Sequence, residues 1–283
     1  MKGRQEYSRL KVVNAAAYLI MIAVNALANL LPLNGLNTGQ VSDQYPNLFT
    51  PAAYTFSIWG LIYLLLLGFV LYQFGVFGGD AALQNEMVGL IGPWFIVSSL
   101  ANSAWVFSWH YRLIGLSVVL MLILLVSLIL IVTRINKYGP LPLREMVLVQ
   151  IPFSIYFGWI TVATIANITV LLVSLGWNGF GLPPQTWTVI ALFLGLIIAA
   201  ETMLRNSDAA YGLAVLWAYV GILVRYLSPS GFAGKYSLIT TTAIVSIAFL
   251  AAETLYLVIL NKKARVVPYN KKEMPAENEK RKR

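Results

Sequence analysis

Long apolar runs recur along the whole chain and alternate with short stretches rich in Gly, Pro and Asn. Runs of about 18 to 25 residues are long enough to cross a hydrocarbon core about 30 Å thick. The predicted spans cover residues 12–32, 53–74, 87–108, 113–133, 145–175, 186–204, 209–227 and 237–261. The pattern therefore predicts an all-α fold, a polytopic membrane bundle of about eight transmembrane helices.

Composition agrees with this fold and narrows the chemistry. Hydrophobic residues make up 59% of the chain and charged residues 11%, whereas soluble domains carry about 25% charged residues. The chain has no cysteine, which excludes disulfides and thiolate chemistry. The single histidine, His110, cannot form a metal site alone, so we expect no metal and no required cofactor.

The basic residues predict the orientation of the bundle, because Lys and Arg concentrate in cytoplasmic segments. With both termini in the cytoplasm, all but three of the 20 basic residues lie inside, the exceptions being Arg112, Arg225 and Lys235. The net charge of +9 is thus mainly an orientation signal in a multi-pass protein of the cytoplasmic membrane. The composition of residues 262–283 predicts a basic, disordered cytoplasmic tail that contacts anionic lipid, and no nucleic-acid partner is expected.

Several spans carry polar and aromatic residues three or four positions apart, which places each set on one helix face. These sets are Phe56, Trp59 and Tyr63; Ser98, Asn102, Trp105 and Trp109; Tyr156, Trp159, Ala163 and Asn167; and Asn25 and Asn29. At 1.5 Å per residue, members of all four sets lie about 9–12 Å below the outer surface. Side chains of this type at one depth predict an apolar, aromatic ligand pocket.

A purely structural interpretation of the same residues stays open. Asn and Ser often join transmembrane helices through hydrogen bonds worth about 0.6 kcal/mol each. Aromatic residues also mark the membrane–water interface, and Trp109, Trp177 and Trp187 fit that role better than a pocket role. Small-residue runs in the first span, "NAAAY" and "NALAN", are compatible with a homodimer.

Two acidic residues lie within or near predicted spans. Glu201 is near the inner end of the sixth span, where it can pair with Arg205 four residues on. Glu253 lies about eight residues inside the eighth span, deep enough to suggest a functional group such as a proton-coupling carboxyl. A structural Glu that is protonated or hydrogen-bonded to a Thr is the alternative.

Three stretches resemble the tryptophan-rich sensory protein and translocator family (TspO/MBR), also called the peripheral benzodiazepine receptor family. "TPAAYTFSIWGLIYLL" is similar to its second-helix signature through Pro51, Tyr54, Phe56, Trp59 and Tyr63. "ANSAWVFSW" and "IYFGWITVATIAN" resemble the signatures of the third and fifth helices. The matching positions there are Asn102 and Trp105, and then Tyr156, Trp159, Ala163 and Asn167.

The resemblance covers residues 12–176. It implies a five-helix unit over 1–176, followed by a three-helix membrane extension over 177–261 and the tail. It also implies a pocket for porphyrins, haem-related tetrapyrroles or other lipophilic small molecules. The ligand-binding residues that it implies are Phe56, Trp59, Tyr63, Asn102, Trp105, Trp159, Ala163 and Asn167.

Three functions follow from these observations. The leading one is a non-enzymatic membrane receptor or carrier of a lipophilic planar ligand. The second is a proton- or ion-coupled small-molecule transporter that uses Glu253. The third is a membrane enzyme that degrades tetrapyrroles, although the sequence offers no nucleophile–base pair for such chemistry.

Overall fold

The structure is a computed structural model that describes residues 2–31 and 33–266. Within these ranges it contains eight helices long and apolar enough to cross a membrane, and no strand. The spans are Gln5–Ala28, Ala53–Gln73, Ala81–His110, Ile114–Tyr138, Leu143–Ser174, Pro184–Asn206, Ala209–Leu227 and Ser237–Leu260. The predicted all-α, eight-span bundle is confirmed.

The α-helices are numbered here in chain order. They are α1 (Lys2–Leu30), α2 (Thr38–Asp43), α3 (Ile58–Gln73), α4 (Ala81–His110), α5 (Ile114–Tyr138), α6 (Leu143–Glu145), α7 (Ile151–Ser174), α8 (Pro184–Asn206), α9 (Ala209–Leu227) and α10 (Ser237–Val266). A π-helical segment, Met146–Gln150, joins α6 to α7 within one span. The short 3-10 helix Ala53–Ser57 leads into α3.

Several helices are longer than the hydrophobic pattern predicts, because polar residues extend them beyond the apolar core. Helix α4 starts at Ala81, where the Asp80 side chain accepts a hydrogen bond from the Ala82 N–H at 2.8 Å, a typical N-cap. It then continues unbroken through Pro93. Helix α10 continues to Val266, so the tail predicted from residue 262 begins as helix, and residues 267–283 lie outside the described residues.

Helix α7 occupies the centre of the bundle. On one side it packs against α5 and α3, and on the other against α9, which in turn packs on α10. The approach to α9 is close at Gly158, where an added Cβ would lie 2.4 Å from the Tyr211 carbonyl oxygen. The last three spans are thus in direct contact with the first five. The division of the chain into two units at residue 176 stays a prediction.

Eight spans place the start of α1 and the end of α10 on the same side of the membrane. The cytoplasmic location of that side stays the prediction of the Lys and Arg distribution. The opposite side carries the segments 33–52, 111–113, 175–183 and 228–236, and is called the outer side below. The first of these segments contains α2, whose N-cap Asn37 forms a reciprocal capping box with Gln40.

Candidate functional site

A small cavity lies at the outer ends of α3, α4, α5 and α7, beneath the first outer segment. Its volume is about 50 Å³. It is lined by Thr38, Ser42, Phe49, Thr50, Pro51, Phe56, Trp59, Trp105, Trp109, Met121, Trp159, Val162, Ala163, Ala166, Asn167, Val170 and Ala218. Six of the eight predicted ligand-binding residues are therefore brought to one cavity, and Tyr63 and Asn102 are not in its wall.

Six aromatic rings line the cavity, and Trp59 lies among them. Its ring centroid is 6.3 Å from that of Trp105 and 6.0 Å from that of Trp159. On the far side Trp59 stacks on Tyr63, with centroids 5.6 Å apart and planes 22° apart. Tyr63 therefore supports the wall from behind. The spacings of three and four residues on α3, α4 and α7 produce this cluster, as predicted.

Asn102 belongs to a buried hydrogen-bond network just outside the wall. The side chain is fully buried; its Oδ1 accepts a hydrogen bond from Asn25 Nδ2 at 2.7 Å, and its Nδ2 donates to the Tyr156 hydroxyl at 3.1 Å. These bonds join α1, α4 and α7. Both ends of the Asn102 amide are thus bonded to side chains of neighbouring helices. The observed contacts of Asn102 are those of a residue that joins helices, as the structural interpretation predicts.

Asn167 lies in the cavity wall, and its amide is also held by neighbours. Its Oδ1 accepts a hydrogen bond from Trp105 Nε1 at 2.9 Å, and its Nδ2 donates to Ser117 Oγ at 2.9 Å. These contacts fix the orientation of the Trp105 ring. Asn167 thus contributes a polar surface with a set direction to an otherwise apolar cavity.

Trp159 differs from these groups because its indole N–H has no acceptor among the residues that the structure describes. The side chain is 3% exposed, and within the described residues no hydrogen-bond acceptor lies within reach of its buried Nε1. Its ring is nearly perpendicular to those of Phe56 and Trp59, at interplanar angles of 85° and 84°. A buried donor without a partner costs about 1–3 kcal/mol, so a ligand acceptor that reached this atom would recover that energy.

The first outer segment covers the cavity and is shaped by Asn47. The Asn47 Oδ1 accepts hydrogen bonds from the backbone N–H groups of Phe49 and Thr50, at 2.9 and 3.0 Å. This compact turn places both residues over the cavity. Sequence periodicity did not identify them, because a loop carries no helical repeat.

Trp109 was missed for a different reason. The interface-belt prediction for this residue is wrong, since its ring is 5% exposed and stacks on Trp105 at 5.5 Å in the cavity wall. Its Nε1 donates to the Thr38 carbonyl oxygen at 3.1 Å. The signal that could have found it was present, because Trp109 continues the helix stripe of Asn102 and Trp105.

Helix α9 anchors the cover of the cavity. Trp217 Nε1 donates to the Thr55 carbonyl oxygen at 2.9 Å, and the Tyr226 hydroxyl donates to the Leu48 carbonyl oxygen at 2.6 Å. At Gly221 an added Cβ would collide with the Thr55 side chain, so the 3-10 helix Ala53–Ser57 approaches α9 closely. Ala218 of the same helix lines the cavity. The site therefore depends on a helix outside the 1–176 unit.

The two acidic residues singled out in the sequence have different surroundings. Glu201 Oε1 lies 3.2 Å from Arg205 Nη2 on the exposed face of α8, which confirms the predicted pair. Glu253 is 8% exposed, and neither of its carboxyl oxygens has a hydrogen-bond partner in the described part of the chain. No group of three or more His, Cys, Asp or Glu residues that could hold a metal occurs among the described residues.

The fold and the cavity together define a multi-pass helical membrane protein with an aromatic cavity under its outer segments. A family model described as TSPO-like protein matches residues 11–256, and the chain belongs to this family. The resemblance drawn from the three helix signatures is confirmed. The match continues beyond residue 176 through α8 and α9 into α10. No curated protein and no solved structure matches the chain significantly.

Proposed function

We propose that the protein is a membrane receptor or carrier that binds a lipophilic planar ligand, of the porphyrin or tetrapyrrole type, in the aromatic cavity. The observation that carries the proposal is the unpartnered N–H of Trp159 in a wall that also contains Trp59, Trp105 and Trp109. Flat apolar rings with hydrogen-bond acceptors on their edges match this combination of stacking surface and free donor.

Ring stacking supplies the larger part of the binding energy in this proposal. Each aromatic pair contributes about 0.5–1.5 kcal/mol beyond the burial of apolar area, and the cavity offers several tryptophan faces. The Trp159 donor sets the orientation of the ligand, since its hydrogen bond forms only when an acceptor lies beside it. The role is binding and transfer rather than catalysis.

The size of the cavity places a condition on the mechanism. Its volume of about 50 Å³ holds a few water molecules, whereas ligand sites usually have about 300–1,000 Å³. A tetrapyrrole therefore binds only when the cover formed by Phe49, Thr50 and Pro51 moves outward. The hydrogen bond from Tyr226 to the Leu48 carbonyl oxygen is one of the contacts that opposes this movement.

The test is a titration of the detergent-solubilised protein with protoporphyrin IX, followed by quenching of tryptophan fluorescence. The variant Ala163→Phe fills the cavity and removes no hydrogen bond, so we expect it to weaken binding about tenfold or more. Ala251→Phe, on an exposed position of α10, is the matched control and should bind as the parent protein does. Equal affinity of all three proteins would refute the proposed site.

Proton-coupled transport is a second candidate function, favoured by the state of Glu253. An ionised carboxylate without a partner is costly inside a membrane, so this buried group favours binding a proton. In proteoliposomes, we expect protoporphyrin uptake driven by a proton gradient in the parent protein and loss of that dependence in Glu253→Gln. Uptake that responds equally to the gradient in both proteins would exclude Glu253 as the coupling group.

A further inference from the structure

A second and much larger cavity lies on the outer side, between α7, α8 and the outer segments. Its volume is about 1200 Å³. At the floor of this cavity α8 packs against the bundle at Gly195. A Cβ added at this glycine would lie 2.6 Å from the Tyr219 hydroxyl oxygen and 3.2 Å from the Ile165 side chain. Above this point α7 and α8 have few contacts with each other. The space between them is called the α7–α8 groove.

The groove has the depth of one membrane leaflet and apolar sides. Its wall on α7 extends from Ile165 to Val173, and its wall on α8 from Pro184 to Leu194. At 1.5 Å per residue these lengths are about 12 and 15 Å, half of a hydrocarbon core about 30 Å thick. The groove therefore has room for a hydrocarbon chain running inward from the outer surface.

A cation lies at the outer mouth of the groove. Arg225, near the end of α9, is the basic residue among the lining side chains. Its Nη2 is 3.9 Å from Asp43 Oδ1, at the outer limit of an ion pair, and its guanidinium carbon lies 5.7 Å from the centre of the Phe232 ring. Its Nε is buried and has no hydrogen-bond acceptor within the described residues. The Nε donor of this guanidinium is thus unused.

The charge of the surrounding surface favours an anion. The described outer segments and adjoining helix ends carry three basic residues, Arg112, Arg225 and Lys235, against one acidic residue, Asp43. Of the three, Arg112 donates from its Nε to Gln44 Oε1 at 2.8 Å, and the Lys235 ammonium lies 5.5 Å from the Tyr236 ring. Arg225 is therefore the cation available to a group inside the groove.

We propose that the α7–α8 groove binds a single-chain amphiphile that carries a carboxylate, with Arg225 holding the carboxylate and the α7 and α8 walls holding the chain. The planar guanidinium fork matches a carboxylate in two parallel hydrogen bonds. Asp43 also lines the groove, and its 3.9 Å separation from Arg225 leaves the guanidinium able to bind one further carboxylate. This site is separate from the aromatic cavity, although Ser42, Phe49 and Thr50 line both.

Two tryptophans make the groove accessible to a direct measurement. Trp177 and Trp187 lie in its wall, with ring centroids 4.8 Å apart. A brominated fatty acid, dibromostearate, quenches tryptophan fluorescence on contact. The protein is placed in nanodiscs of zwitterionic lipid and titrated with this probe, and the variant with both residues changed, Trp177→Phe/Trp187→Phe, identifies their share of the signal.

Variants at the mouth and in the wall of the groove measure the contributions of the carboxylate and of the hydrocarbon chain to binding separately. Arg225→Gln should weaken dibromostearate binding about tenfold, because it removes a charge-assisted hydrogen bond. Arg225→Lys should recover part of the lost affinity. Lys235→Gln is the matched control and should bind as the parent does. Ala191→Phe fills the groove without changing the charge and should abolish saturable quenching. Dibromostearyl alcohol, which has the same chain and no charge, should bind the parent about as weakly as the acid binds Arg225→Gln.

Three results would overturn the proposal. One is quenching that rises without saturation, which describes partition into the surrounding lipid. Another is equal binding of the acid and the alcohol, and the third is an unchanged affinity in both Arg225→Gln and Ala191→Phe. Parallel titrations of the same variants with protoporphyrin IX distinguish failure of this proposal from failure of the proposed function. Arg225 and Ala191 do not line the aromatic cavity, so their variants should bind protoporphyrin IX as the parent protein does.

Discussion

Replacement of Asn102 by Ala should destabilise the bundle because this amide joins three helices. The substitution removes the hydrogen bonds to Asn25 and Tyr156, which measure 2.7 and 3.1 Å. Interhelical hydrogen bonds in membranes contribute about 0.6 kcal/mol each, and a buried polar group left without a partner costs about 1–3 kcal/mol. Asn25 retains a hydrogen bond to the Met21 carbonyl oxygen, so the uncompensated partner is mainly the Tyr156 hydroxyl. The expected loss in the free energy of unfolding is about 2–4 kcal/mol.

Unfolding in a titration with sodium dodecyl sulfate, followed by circular dichroism, measures this loss. The matched control is Asn136→Ala, which removes one hydrogen bond, from Asn136 Nδ2 to Asn206 Oδ1 at 3.0 Å, at a half-buried position. The control should cost about 0.6 kcal/mol. Since Asn102 lies outside the cavity wall, its loss should change stability more than protoporphyrin affinity. A loss in Asn102→Ala no larger than that in Asn136→Ala would show that the Asn102 amide does not hold the three helices together.

Three further predictions concern helix packing, pH dependence and the cavity cover. Gly158→Ala places a Cβ against a backbone carbonyl of α9 and should lower the free energy of unfolding by about 1–3 kcal/mol in the same assay. Its control, Gly115→Ala, adds a Cβ in open space and should be neutral or stabilising. Burial raises the pKa of the Asp208 carboxyl above its ordinary value of 3.8, so the folded protein holds this proton more tightly than the unfolded chain. Stability contributed by the protonated form is therefore lost as the pH rises from about 4 through the raised pKa. The variant Asp208→Asn keeps a good N-cap, and its thermal unfolding should show less of this loss. A pH profile of thermal unfolding identical to that of the parent protein would contradict the assignment. Tyr226→Phe removes a hydrogen bond that holds the outer segment and should raise the association rate of protoporphyrin in stopped-flow fluorescence up to about tenfold, and an unchanged rate would show that this contact does not control the cover.

The fold was predictable from the sequence because membrane spans have a strong one-dimensional signal. A helix in hydrocarbon satisfies its own backbone hydrogen bonds, so length and hydropathy suffice to locate it. The boundaries were less predictable. Asp80 extends α4 at its inner end through its cap, and Glu145 is fully buried at the inner end of the fifth span in an ion pair with Arg144, a contact that hydropathy does not register.

The candidate site was predictable where it is built from helix faces. Trp59, Trp105 and Trp159 meet because their helices repeat every 3.6 residues. The pattern could not distinguish Asn102, which bonds other helices, from a residue that faces the cavity, because both positions lie on the inward face. It also could not locate Phe49 or Ala218 in the wall, since their positions depend on how the outer segment packs against α9.

A cryo-electron microscopy map of the protein with protoporphyrin IX bound would locate the ligand directly. We expect a flat density against the rings of Trp59 and Trp159, with an acceptor beside Trp159 Nε1 and the segment Phe49–Pro51 displaced outward. A map with the porphyrin located elsewhere and the cavity closed at its present volume of about 50 Å³ would contradict it.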